Sequence, residues 1–292
     1  MPLLLLLLLL NVTFNEAFLA FKSNYMVSNY GKSTILYNKN MNDDIIDISS
    51  STIDVKEDNE SIIHDLKSKI LKIGVLSNRG DLQYENNDMN MKEEAKKLAG
   101  ELEDISKNDV NCNNLKGEWS LVYTSSSFLF MSSPFFQAAR HVCKTEEEVD
   151  RFKWFCRQHR DALAFTSIGN VKQIITDTTI TSEFESNVAA IPGLPIVIKG
   201  TIESTADVDF ENNVMNMKMD TVRIKRGTSN IPIISNLLDE FDGLQTRILS
   251  DLLENNVNTY KTPLPKIRTY YCDDSFRISR DVDDDIYVYV KN

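Results

Sequence analysis

The chain has 292 residues, 42% of them hydrophobic and 9% aromatic, which suits a polypeptide that buries a core, and its formal net charge is −11. A broad acidic surface repels phosphate backbones, so nucleic acid is not an expected partner, and attraction to anionic lipid by charge alone is disfavoured as well. No internal run reaches the ~18 apolar residues needed to cross a bilayer, and four cysteines (Cys112, Cys143, Cys156, Cys272) are too few for a disulfide scaffold at this length.

The N-terminus reads as an address. Leu3–Leu10 is an unbroken leucine run, too short to span and typical of the apolar core of a signal peptide, here placed at residues 1–20. Residues 21–42 then carry lysines, Ser, Asn and Tyr, with no acid before Asp43. That composition is transit-like, and residues 21–55 are expected to stay outside the fold.

The ordered part is expected over residues 61–292. Ile62, Ile63, Leu66, Ile70 and Ile73 recur at helical spacing from Ser61 to Ile73, ahead of the turn-rich Ser77–Gly80 (SNRG). A second helix is predicted over Met89–Ile105, with Met91, Ala95, Leu98, Leu102 and Ile105 on one stripe. Neither is rich in both basic and aromatic residues, so both are read as core helices rather than membrane-lying ones.

From Gly117 the period becomes two. In Gly117–Thr124, Trp119, Leu121 and Tyr123 alternate with Glu118, Ser120 and Val122, as in a half-buried strand. Ile168–Thr176, Thr178–Phe184, Ile196–Phe210, Val214–Lys225, Ile267–Cys272, Phe276–Ser279 and Ile286–Val290 follow the same rule, with Ile196–Phe210 expected to be divided at its middle. These segments number eight, or nine with Ile196–Phe210 divided, and about eight antiparallel strands close into a barrel wide enough for one small ligand. Two helical insertions interrupt the strands. One spans Pro134–Leu163, with Thr145 and Glu148 spaced as a capping box. The other spans Ile234–Asn255, with Leu237, Leu238, Phe241, Leu244, Ile248 and Leu252 on one stripe. The fold class is therefore α+β, a lipocalin-like antiparallel barrel with N-terminal helices and a helical insertion. Leu121, Tyr123, Phe184, Ile202, Met217 and Met219 are the residues that alternation points into its cavity.

Chemistry-bearing patterns are sparse. No nucleophile elbow, P-loop or dinucleotide glycine pattern is present, so no catalytic residue and no cofactor are assigned. An enzyme on such a barrel would need buried carboxylates facing the cavity, and Asp220 and Glu203 are the first candidates. His141-x-Cys143 and Cys156-x-x-His159 leave zinc, a disulfide or free thiols open, with free thiols favoured because no second Cys-x-x-Cys half-site exists. Asp281, Asp283 and Asp285 lack the glycine and distal glutamate of a calcium loop and read as an acidic hairpin turn. No metal site is assigned.

Three segments in register carry a resemblance. The Arg79-Gly80 turn after an opening helix, Leu115–Ser126 (LKGEWSLVYTSS), and the ending Tyr270–Asn292 (YYCDDSFRISRDVDDDIYVYVKN) together resemble the plastid lipid-associated protein (PAP/fibrillin) family. Cys272 departs from the leucine usual at that position of the family's ending. The resemblance implies a non-enzymatic protein of the plastid that binds or organises carotenoids, prenylquinones or acyl lipids at thylakoids or lipid globules, with a protein partner left open. A lipocalin-type enzyme acting on a carotenoid or quinone, or a scaffold for an isoprenoid-pathway enzyme, is the alternative. The leader then resembles the bipartite type that serves plastids bounded by four membranes. Gly117-x-Trp119 is similar to the first strand of lipocalin-like barrels, where an indole plugs one end under an arginine from a late strand, a role that falls to Arg277 or Arg280.

Overall fold

A computed structural model of the chain describes residues 54–81, 89–105, 115–162, 166–189, 197–211, 213–229, 247–248, 251, 254–255 and 261–292. Two helices, α1 (Asp54–Leu76) and α2 (Met89–Ile105), precede strand β1 (Gly117–Thr124). After it come a short 3-10 turn (Leu129–Ser132) and helices α3 (Pro134–Val142) and α4 (Glu146–Ala162). Strands β2 (Thr166–Ile175), β3 (Thr179–Ala189), β4 (Val197–Glu211), β5 (Val214–Ser229), β6 (Lys266–Cys272), β7 (Phe276–Arg280) and β8 (Ile286–Lys291) complete the chain. Each strand pairs antiparallel with the next, and β8 returns to β1 with Lys291 opposite Trp119, so the eight strands close in a ring. All described residues fall within one unit, Thr52–Asn292.

Several boundaries differ from the expected ones. Helix α1 begins at Asp54 rather than Ser61. Strand β4 runs undivided, because its whole length is paired with β3 or β5. The first insertion is two helices, broken at Cys143–Thr145. Ser133 caps α3, receiving the Phe136 N–H at 3.4 Å, and the Thr145–Glu148 capping box starts α4 with reciprocal bonds of 3.0 and 3.3 Å. Most of the second insertion lies outside the described residues. Of its expected stripe, Ile248 is described, and it is exposed.

Two apolar cores lie on opposite faces of the sheet, and β8 shows the division. Ile286, Val288 and Val290 belong with Leu66, Ile70, Ile73, Ala95, Leu98 and Leu102 of the two N-terminal helices, while Tyr287 and Tyr289 face the ring interior with Trp119 and Leu121. Strand β1 obeys the same alternation only as far as Leu121. Leu121 lies opposite Tyr289 but Tyr123 lies opposite Val288, so Val122 is an extra residue, a β-bulge that shifts everything after it to the other face. The helical layer is tied down by charge as well. Arg280 forms a two-pronged pair with Glu103 of α2 at 3.0 and 2.9 Å.

The SNRG turn has a defined task. Asn78, Arg79 and Gly80 take positive φ values of 48°, 64° and 100°, which aims the Arg79 side chain at β2. There it donates to the carbonyls of Gly169 (2.6 Å) and Ile168 (2.8 Å), at the irregularity between Ile168 and Val171 where the ladder leaves acceptors free. Its own backbone carbonyl receives the Thr124 N–H at 3.0 Å.

Candidate functional site

The ring interior is lined by side chains at every second position of its strands. Leu121, Phe184, Met217 and Met219 are buried there in one cluster with Val171, Ile180, Met215 and Tyr289, and the partly buried Ile202 packs against them. Tyr123 is the exception among the expected cavity residues. The Val122 bulge turns it away from the interior, and it is fully buried against the helical layer.

One region of the interior is built around Trp119. Its indole N–H donates to the Leu115 carbonyl at 2.8 Å, and its ring lies 5.1 Å from the Arg277 guanidinium carbon and 5.2 Å from the Lys291 ammonium. Arg277 also stacks on Tyr289 at 4.0 Å. Arg280 does not join them, because the alternation of β7 puts it on the face of Phe276 and Ile278, where it meets Glu103 and Asp284. Burial lowers the Arg277 pKa, and the Tyr289 phenol and Cys272 thiol beside it act in the other direction.

The segment after β1 enters the ring. Phe128, Leu129, Phe130, Met131 and Phe136 are all buried in the interior cluster, with Phe130 and Phe136 ring centroids 4.4 Å apart and Phe128 stacked on Phe130 at 5.3 Å. Their backbone is held by the wall. Gln173 of β2 donates to the Ser132 carbonyl at 2.7 Å, and Ser204 of β4 receives the Phe135 N–H at 3.2 Å. Gln137 donates to the Met131 carbonyl (2.8 Å), to Asp281 (3.2 Å) and to Tyr287 (3.3 Å). Where sequence reasoning expected a hollow, this part of the ring is filled by its own chain. The run FLFMSSPFF has neither strand nor helix period, so alternation could not find it. Gln173 does carry a signal, a polar residue at an inward position between Val171 and Ile175.

The chemistry-bearing residues mostly serve the fold. Glu203 lies between the inward-facing Ile202 and Ser204 and is paired with Arg223 on the outer face. Asp220 is paired with Arg247 at 3.2 Å. Cys143 and Cys156 are free thiols, pushed up by burial to about 11 and about 12, and the His159 side chain lies outside the described residues. Among the described residues, no group of three or more His, Cys, Asp and Glu is placed to hold a metal ion. Asp281 accepts the backbone N–H groups of Asp283 (3.0 Å) and Asp285 (3.1 Å) and the Tyr287 hydroxyl at 2.7 Å. Its pKa is raised, chiefly by burial and against the pull of those bonds. Asp283 faces Arg140 at 2.5 Å and Asp285 faces Lys92 at 3.4 Å, so this acidic hairpin spends its carboxylates on the turn and on cations of neighbouring helices. No described helix is long and apolar enough to cross a membrane.

Fold and site together define an α+β protein whose closed antiparallel sheet keeps an apolar, methionine-rich interior with few polar groups. The PAP_fibrillin family model matches residues 64–290, and the chain belongs to that family, a plastid-associated family of lipid-associated proteins that is in general structural rather than enzymatic. No curated protein and no solved structure matches the chain.

Proposed function

We propose that the protein binds hydrophobic molecules such as carotenoids, prenylquinones or acyl lipids within a lipocalin-like ring, without catalysing their conversion, at thylakoids or lipid globules. Its first 55 residues would act as a two-part leader that delivers it to the plastid. The observation that carries this reading is the apolar inner wall formed by Leu121, Phe184, Ile202, Met217 and Met219. Burying a greasy molecule there is worth ~25 cal/mol per Å² of apolar surface before ordering costs, and methionines adapt to ligands of irregular shape. Because Phe128–Phe136 fills part of the interior, binding is an exchange in which the ligand takes the place of that segment. In this reading Trp119, stacked under Arg277, closes the ring rather than touching ligand.

The enzymatic alternative loses its two first candidates, since Glu203 and Asp220 sit in ion pairs outside the interior. The scaffold alternative keeps one observation. Trp154 of α4 is 57% exposed while its neighbours Phe152 and Phe155 pack inward, so a stoichiometric protein partner captured by wild type and lost with Trp154→Ala would favour it. The test of the main reading is mass spectrometry of organic extracts from protein purified out of its native organelle. An apolar molecule at a fixed ratio to protein is expected. Protein that carries none and takes none up on titration would refute the reading.

A further inference from the structure

The polar groups of the interior are few, and they are unequally served. Gln173 of β2 lies directly opposite Ser182 of β3, which lies directly opposite Ser204 of β4, so the three form one row across neighbouring strands. The two ends of the row are occupied by backbone of the inserted segment, the Ser132 carbonyl on Gln173 and the Phe135 N–H on Ser204. The hydroxyl in the middle, Ser182 Oγ, is fully buried and has no partner among the described residues.

Arg277 adjoins this row. Its Nη2 donates to the Gln173 oxygen at 2.5 Å, while its Nε and Nη1 have no partner and the whole side chain is buried. It forms no ion pair with a described residue. The negative faces of Trp119 and Tyr289 offset part of the charge, but a guanidinium withdrawn from water without an anion is costly to keep. Gln173 is thus held by a cation on one side and, on the other, holds a carbonyl oxygen that belongs to a segment rather than to the wall.

We propose that this row is a head-group site for an amphipathic carboxylate, a long-chain acid that replaces the inserted segment. Its head takes the place of the Ser132 carbonyl on Gln173 and accepts from the unpaired N–H groups of Arg277 and the Ser182 hydroxyl. Its chain takes the space of Phe128 and Phe130 along Phe184, Met217 and Met219. The inference rests on the reading that the ring exchanges its inserted segment for apolar molecules, and it adds the chemical class. Only a head with a full negative charge supplies the counter-charge that Arg277 lacks, and a neutral ester of the same chain does not.

The test is equilibrium partition of radiolabelled oleate and methyl oleate into the full chain, above the pH at which the acid ionises. Hydrogen bonds to a charged group lead to an expected preference of about tenfold or more for oleate. Ser182→Ala removes a hydroxyl that no described group uses, so the fold persists, and oleate affinity should fall about three- to tenfold with the ester unchanged. Gln173→Glu supplies Arg277 with an internal anion and should erase the preference. Equal binding of the two ligands by wild type, or an unchanged preference in either variant, overturns the head-group site and leaves apolar binding standing. Binding of neither ligand overturns both.

Discussion

Helix α1 crosses β1 at Gly74, and replacing that glycine tests how the helical layer is seated. A Cβ there would lie 2.4 Å from the Val122 carbonyl oxygen and 3.5 Å from the Tyr123 Cβ. Val122 is the bulged residue, so the close approach of the helix and the outward turn of Tyr123 have one origin. Two effects compete in Gly74→Ala. Alanine in a helix interior is favoured over glycine by roughly 0.5–1 kcal/mol, while overpacking costs about 1–3 kcal/mol. The obstacle is backbone in a closed sheet and cannot rotate away as a side-chain tip would. Restoring ordinary contact near ~3.5 Å means parting helix from strand by about 1 Å. The clash wins, and the expected outcome is a net loss on the order of 1–2 kcal/mol, read as a lower urea midpoint with unchanged slope. Gly100→Ala on α2 is the internal control. Nothing lies within 4 Å of its Cβ, so it should gain about 0.5–1 kcal/mol. A midpoint for Gly74→Ala equal to or above that of wild type would mean that α1 and the Val122 bulge are not in such close contact.

Phe130→Ala removes a fully buried ring from the inserted segment and should cost about 3–5 kcal/mol, checked by the same urea titration; a loss below about 1 kcal/mol would mean the segment is not packed as described. Asp273 is pushed up by burial, but hydrogen bonds from Lys67, Tyr271 and the Ser275 backbone outweigh that and hold its carboxyl below the usual range. Its stabilisation is therefore fully present above the unfolded value near pH ~4 and is lost as the pH falls through the lowered folded value, so the stability gap between wild type and Asp273→Asn should shrink on acidification and not widen. Burial raises the thiols of Cys143, Cys156 and Cys272 to about 11, 12 and 11. Iodoacetamide at neutral pH should leave all three unlabelled in the native protein and label them in urea, as read by peptide mass spectrometry.

Alternation in the sequence located the strands because a closed sheet with a buried inner face gives every second residue the same environment. It failed at Tyr123, where one inserted residue reverses the count, and nothing in GEWSLVYT marks Val122 as the extra one. The division expected in Ile196–Phe210 is absent because pairing with β3 runs unbroken from Val197 to Asp207 and carries β4 past the register shift between Thr205 and Ala206 on its β5 side, so it exceeds an average strand in length. Arg79 and Gly80 were legible as a turn, but the target of the Arg79 side chain, the carbonyls of Ile168 and Gly169, depends on an irregularity almost 90 residues away. For Trp119 the sequence offered Arg277 or Arg280 without deciding between them, and it did not point to Gln173, although Gln173 joins Arg277 to the inserted segment. A polar residue in an inward register is the trace such a linkage leaves.

A ring of eight strands is wide enough either to be filled by side chains or to hold one small ligand, and this chain supplies its own filling. That choice has an energetic consequence. Phe128, Leu129, Phe130 and Phe136 are buried, and moving four such side chains into water costs roughly 6–12 kcal/mol. In water alone the segment stays in place, and a dissolved apolar molecule has to offset that cost from its own burial. At a lipid surface the cost nearly vanishes, because the same side chains pass from one apolar medium to another while the ligand leaves that medium for the ring. Uptake should therefore be far faster and more complete from lipid vesicles than from solution at equal chemical potential of the ligand. On the proposed exchange, loading takes place where lipid is, because only there is the displaced segment spared contact with water.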